Sequence, residues 1–427
     1  MNIRSRLGLA LLTVLATGGI YAEGVLKTGW IEVLLLVPVG LFLITKGLTA
    51  KVWQNVLISI IASSLTVVAL DIALRPILGR QLHYTPTNVL AHKLPQLPIV
   101  GRYDPNVSEE AEAYGDLAAM AGNPDLREPR RISFQTDQYG FRNHAEQSVF
   151  DLLVVGDSFA VGGGTTGKDI FARLLETQYG YRTYNLSFPG GPYEQFLNVA
   201  IEAPRLKFAP NAKMIWTIYT GNDLADAGGE IWDLDQLPWR QGFSAWLVTY
   251  RTYRNRSPLN QWMEAIRMRL AGSSDDVIVR RLPDGRSVLF LRGQEAWGKR
   301  SRKEVEAYPN FSKLERTLAS MQDLTAKRNI EVTILILPTK GEVYRWLLDM
   351  KEPRFDNTDS SGFALAVLGA CEKIKLSCHD TKPYLIAEAK RLNESSQELL
   401  WWRDDTHIGK HGHAAIAAYI ARDILKR

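Results

Sequence analysis

Apolar positions change character near residue 75. Before it they come in long runs, over 7–21, 30–44 and 52–74, interrupted by a charge only at Glu32 and Asp71. About 20 apolar residues cross the hydrocarbon core of a bilayer as a helix. The third run meets that length alone and the first two meet it with their flanks, so residues 1–80 are expected to hold three transmembrane helices. Arg4 and Arg6 precede the first run, Lys46 and Lys51 separate the second and third, Lys27 lies in the first loop, and Arg75 and Arg80 follow the third. The Lys/Arg excess marks the cytoplasmic side, which places the N-terminus inside and the large C-terminal part outside. The first run also fits a cleaved signal peptide, with its basic start and short apolar core. That reading leaves the C-terminal part on the same side.

Beyond residue 80 the runs shorten. Residues 81–131 carry Leu97-Pro98, Asp104-Pro105, Asn123-Pro124 and Glu128-Pro129 and read as an irregular linker. From residue 132 onward the period alternates between short continuous apolar runs and helical spacing. Residues 152–155 and 331–337 have the composition of buried strands, and 181–188, 214–219 and 376–380 are strand-like. Between and after them, 170–178, 193–206, 314–328, 363–373 and 410–426 have helical spacing. Strands alternating with helices predict an α/β fold, a three-layer α/β/α parallel sheet. Residues 224–310 interrupt the alternation with Trp232, Trp239, Trp246 and Trp262, five arginines between 251 and 269, and a hairpin turning at Pro283-Asp284-Gly285. The expected organisation is three membrane helices (1–80), a linker (81–131) and one domain (132–427) with an insertion at about 224–310.

Composition narrows the function classes. Hydrophobic residues make up 46% and charged residues 23% of 427, which excludes a largely disordered chain. A net charge of +5 without a basic block gives no argument for nucleic acid. Two cysteines, Cys371 and Cys378, cannot form a disulfide scaffold or a four-thiolate zinc site. In an oxidising compartment the two can pair; two packed free thiols are the alternative.

Open α/β sheets gather ligands at the C-terminal ends of their strands. Three polar clusters follow predicted strands: Gly156-Asp157-Ser158, Gly190, and Gly221-Asn222-Asp223. A fourth, Asp404-Asp405-Thr406-His407, precedes the last helix. Together they offer what acyl transfer needs. A serine hydroxyl becomes a nucleophile when a histidine takes its proton, and a carboxylate holds that histidine's tautomer. Backbone N–H groups at Ser158 and Gly190, with the Asn222 amide, are candidate donors to an oxyanion.

The four clusters, in this order, resemble the blocks of the SGNH/GDSL hydrolase superfamily. The resemblance covers 132–427 without the insertion. It implies a flavodoxin-like sheet, Ser158 as nucleophile, Gly190 and Asn222 in the oxyanion hole, and His407 as base. Asp404 matches the family's Asp-x-x-His spacing and is the preferred acid, while Asp405 satisfies the Asp-x-His spacing of the alginate O-acetyltransferase-like branch. The third block lacks a residue between Gly221 and Asn222. That form, with Thr136-Asp137, Gly140-Phe141-Arg142-Asn143 and Pro338-Thr339-Lys340, is similar to membrane-attached bacterial members. A bacterial member so anchored is expected in the cytoplasmic (inner) membrane, its catalytic domain periplasmic. Its partners are expected to be the bilayer and an acylated cell-envelope carbohydrate or a small ester. No cofactor is called for.

Each cluster also has a structural reading. Asp157 or Ser158 can cap a helix, Gly221-Asn222-Asp223 can be turn chemistry, and Asp404 and Asp405 can face a helix N-terminus. His407, His411 and His413 invite a metal reading, but a zinc hydrolase needs three protein ligands and no third partner stands out. Two functions are carried forward. One is a serine esterase or O-acyltransferase. The other is a non-catalytic binding or assembly module of an envelope-polysaccharide machine, partnered by its assembly proteins.

Overall fold

A computed structural model describes residues 90–144, 148–228, 274–346 and 360–426 except Pro98, with scattered positions in 58–74 and 252–262. The first two apolar runs, and so the expected first two membrane helices, lie outside the described residues. The third is helical wherever it is described, with Ile58, Leu65, Leu70 and Ile72 exposed. Among the described residues no helix is long and apolar enough to cross a membrane. The chain divides into two units, 1–83 with 249–270, and 84–248 with 271–427. In the first, Asp71 is buried and accepts from the Ser257 hydroxyl at 2.5 Å, which answers the one charge of the third run with a polar partner from 186 residues away. Of Trp232, Trp239, Trp246, Trp262 and the five arginines between 251 and 269, only Trp262 is among the described residues.

The second unit begins with two short antiparallel pairs, β1 (Ala91–Lys93) with β2 (Gly101–Tyr103) and β3 (Ser108–Ala113) with β4 (Arg130–Gln135). Helix α1 (Asp116–Ala121) lies between β3 and β4. Then follow β5 (Phe150–Val155), α2 (Ser158–Val161), α3 (Phe171–Thr177), β6 (Thr183–Asn185), α4 (Pro192–Glu202), β7 (Phe208–Tyr219) and α5 (Asp223–Asp226). A hairpin of β8 (Val277–Arg281) and β9 (Ser287–Leu291) turns through 283–285, where the sequence places it. After two short helices, Arg292–Gly298 and Arg302–Glu306, come α6 (Phe311–Ala326), β10 (Glu331–Leu337), α7 (Lys340–Tyr344), α8 (Gly362–Ile374), β11 (Ser377–Asp380), α9 (Lys382–Ser396) and α10 (Lys410–Tyr419).

The five central strands are parallel and run β11-β10-β7-β5-β6 across the sheet. Numbered by first appearance, that is 2-1-3-4-5, a doubly wound order. Its direction of winding reverses between the first and third strands, β5 and β7, and a crevice opens there at the strands' C-terminal ends. Alternation along the strands splits the core in two. Leu153, Val155, Met214, Trp216, Val332 and Ile334 face one side, against α4, α6 and α8. Leu152, Val154, Ile215 and Leu335 face the other, against α3, α9 and α10. The α/β expectation holds, with helices on both faces. Cys371 on α8 and Cys378 on β11 are joined by a disulfide, with Cα atoms 6.3 Å apart.

The reading of 81–131 as a linker is corrected. This stretch forms β1–β3 and α1 and packs into the domain, with Leu97, Val100, Tyr103 and Leu117 fully buried. Pro105 lies in a turn and Pro124 opens a short 3₁₀ helix, where a missing N–H is harmless.

Candidate active site

Ser158 stands at the head of α2, directly beyond β5. Asp157 is the N-cap, its carboxylate accepting from Phe159 N–H at 2.9 Å. The capping role thus falls to Asp157 and leaves the serine hydroxyl for other work. Gly156 is required by crowding: a Cβ there would lie 2.0 Å from Thr217 Oγ1 of the neighbouring β7. Phe188 N–H donates to Gly156 O at 3.1 Å, which draws the loop carrying Gly190 beside the serine turn. The same loop meets the short helix that follows β7, since a Cβ on Gly191 would lie 2.4 Å from Asp226 O of α5. The clusters after β5, β6 and β7 therefore converge at the winding reversal.

His407 arrives from the other end of the sequence. Its Nε2 is 2.8 Å from Ser158 Oγ, and its Nδ1 is 2.7 Å from Asp405 Oδ1. The Phe159 ring lies 5.1 Å from the imidazole, centre to centre, as an apolar wall. Of the two candidate acids, the preference for Asp404 is corrected in favour of Asp405, for a local reason. Asp405 Oδ1 also accepts His407 N–H at 3.1 Å, a turn that requires a carboxylate two residues before the donor. Asp404, three residues before, is taken by other donors: Gly115 N–H and Glu128 N–H on Oδ2, each at 2.7 Å, and Arg130 Nη1 on Oδ1 at 2.9 Å.

Arg130 spans both aspartates, its Nη2 donating to Asp405 Oδ2 at 2.6 Å. Asp405 is thereby held between an imidazole and a guanidinium. Burial opposes its charge, but His407 and Arg130 outweigh that and hold its carboxyl well below the usual range. Burial likewise opposes the imidazolium, and the carboxylates of Asp405, Asp116 and Asp157 outweigh it, lifting His407 to about 9. Burial pushes Asp157 up to about 6.

Two buried cations fasten the loops that carry Ser158 and His407. Arg142 Nη1 donates to Val161 O and Gly162 O, and its Nη2 to Ser133 O and Thr165 O, at 2.6–3.1 Å. That gathers the turn behind Ser158. Lys340 Nζ donates to Leu289 O, Trp402 O, Arg403 O and Asp405 O at 2.7–3.1 Å, gathering the loop before His407. Burial pulls Lys340 down to about 8 and Arg142 to about 10.

The expected oxyanion donors are less uniform. Gly190 O accepts from Gln195 Nε2 at 2.8 Å, which fixes that peptide. Asn222 Nδ2 donates to Asp226 Oδ2 at 2.8 Å, so one of its two protons is engaged. Asp223 of the third block is structural: its Oδ2 accepts Tyr219 N–H at 2.7 Å, and burial pushes its carboxyl well up.

The three histidines of the metal reading separate. His407 precedes α10 rather than sharing a face with His411, and His413 is buried with Nδ1 accepting Phe171 N–H at 3.3 Å. Asp116, Asp405 and His407 do place three ligand atoms within 4.8 Å of one another. Binding a cation there would displace the Nδ1 proton that Asp405 now holds. Sequence reasoning missed Asp116, Glu128 and Arg130, which lie in the stretch read as linker. Arg142 and Lys340 were visible only as parts of motifs. Comparison of the chain with protein-family models and with curated proteins gave no match.

Proposed function

We propose that this protein is a membrane-anchored serine esterase or O-acyltransferase of the SGNH type. The observation that carries the reading is the continuous line from Ser158 Oγ to His407 Nε2 (2.8 Å) and from His407 Nδ1 to Asp405 Oδ1 (2.7 Å). Ser158 Oγ attacks the acyl carbonyl while His407 Nε2 takes its proton, and Asp405 stabilises the imidazolium. The tetrahedral oxyanion draws on Ser158 N–H, Gly190 N–H and the second proton of Asn222 Nδ2. His407 returns its proton to the leaving oxygen, and the acyl group stays on Ser158. Water, or a sugar hydroxyl, then gives its proton to His407 and attacks the acyl-enzyme; the Oγ–acyl bond breaks to release the acid or the new ester, and His407 returns the proton to Ser158 Oγ. Asp405 two residues before His407 is the spacing of the alginate O-acetyltransferase-like branch, which favours a sugar hydroxyl as acceptor. The substrate we assign is an acylated envelope glycan, reached from the inner membrane on its periplasmic side. The exposed apolar side chains of the third run support the anchor.

The test is hydrolysis of a chromogenic acetyl ester by the full chain in detergent. Ser158→Ala is expected to lose the activity, and equal rates for the two proteins would remove the mechanism. One contact favours the second reading, a non-catalytic binding module: Asp226 occupies the Asn222 amide. Under that reading the ester is turned over by neither protein.

A further inference from the structure

His407 faces two carboxylates. Asp405 holds Nδ1 at 2.7 Å, and Asp116 Oδ2 lies 3.9 Å from the same nitrogen. Asp116 opens α1, in the stretch of chain that reads as a linker, 290 residues from its contacts. It accepts both donors of Thr406, the backbone N–H at 2.8 Å and the hydroxyl at 2.5 Å. The same hydroxyl lies 3.3 Å from His407 Nδ1. Donating to Asp116, it turns its lone pairs toward the ring. A carboxylate that needed only to cap the loop would engage the N–H; this one also aligns the hydroxyl beside the imidazole.

We propose that Asp116 is a positioning residue of the proposed triad: it orients Thr406 against His407 and, as a second anion beside Nδ1, sets the pH above which the histidine can accept the Ser158 proton. The inference rests on the esterase reading. Asp116 faces Asp405 and His407 on the catalytic loop, Lys340 on α7 and Tyr219 at the end of β7. His407 faces Asp405, Asp116 and Asp157, and beyond them His413 of α10, which burial keeps neutral. The anions outnumber the cations around the ring. Burial pushes the Asp116 carboxyl up while His407 and Thr406 favour its charge, and both of its oxygens accept from Thr406, as an ionised carboxylate does. Removing that charge makes the imidazolium less stable and moves its titration to lower pH.

The experiment is the pH profile of kcat/KM for a chromogenic acetyl ester, using the full chain in detergent. Wild type, Asp116→Asn, Asp116→Ser, Asp116→Glu and Ser158→Ala are compared, with thermal unfolding of each. Both neutral variants keep an acceptor for Thr406 N–H, so two separate routes preserve the loop. Their acid limb is expected to move down by about one to three pH units, the effect of one nearby charge. Asp116→Glu is expected to restore the limb toward its wild-type position. The position of the limb, not the height of the plateau, is the readout, because a merely structural loss lowers the plateau and leaves the limb in place. Limbs that coincide in folded Asn and Ser variants, with Ser158→Ala inactive, overturn the role of Asp116 alone. A Ser158→Ala protein as fast as wild type overturns the esterase reading and this inference with it.

Discussion

Asp404 and Asp405 are neighbours in sequence with opposite tasks, and substitution separates them. Asp405→Asn leaves the shape of the site but reverses the hydrogen-bond preference at Nδ1. It is expected to lower kcat by about ten-thousand-fold, a loss larger than its cost in stability, which comes from weakening the pairing with Arg130. Asp404→Asn strips the charge from a buried carboxylate that holds Arg130 and two backbone N–H groups. It is expected to cost about 3–5 kcal/mol in unfolding experiments. Chemical denaturation and steady-state kinetics on the pair distinguish the two roles. The histidine makes a pH prediction as well. Its pKa is raised from 6.5 to about 9 in the folded chain, so its base form, and with it kcat/KM, rises on a limb near 9. The same shift stabilises the fold fully below 6.5, and that contribution is lost as pH rises through about 9. The difference in Tm between wild type and His407→Gln should shrink across that window. Ser158, His407 and the sheet-end glycines were readable because acyl transfer demands those residue types in that order. The choice between adjacent aspartates was not, because it depends on which one Arg130 and two N–H groups from elsewhere in the chain have already taken.

At the scale of elements, the parallel strands were legible because a strand buried on both faces needs an unbroken apolar run. Val154-Val155 and Ile334-Leu335-Ile336 have no exposed face. The elements before residue 132 were not. Strand β3 reads Ser-Glu-Glu-Ala-Glu-Ala, with Glu110 and Glu112 exposed and Glu109 half-buried in a two-stranded ribbon, and α1 has only six residues. Neither carries a periodic signal; β3 is held by its pairing with β4, and α1 by contact with the loop that carries Asp404 and Thr406. Gly115 shows the tightness of that contact: a Cβ there would lie 1.8 Å from Asp404 O, a backbone atom that cannot move without moving the loop that carries His407. Gly115→Ala is expected to destabilise the domain by about 1–3 kcal/mol and to lower activity more than a surface Gly→Ala change such as at Gly293, where a Cβ meets nothing within 4 Å. Thermal unfolding with parallel ester kinetics checks both halves.

At the scale of the molecule, the chain divides into a unit built around its apolar beginning and a doubly wound α/β unit that carries the candidate site. The disulfide between Cys371 and Cys378 ties α8 to β11 at the sheet's edge, far in topology from the winding reversal. Replacing both cysteines by serine is therefore expected to cost about 2 kcal/mol of stability through the freed loop and to leave kcat unchanged. A fall in kcat without a fall in stability would contradict that separation. The central claim is that Ser158 is an activated nucleophile, and covalent trapping tests it most directly. The full chain in detergent is treated with a fluorophosphonate and the modified residue is located by peptide mass spectrometry. The adduct is expected on Ser158, and it should be lost in Ser158→Ala and strongly slowed in His407→Ala. A folded protein that leaves Ser158 unmodified, or that labels equally well after Ser158→Ala, would contradict it.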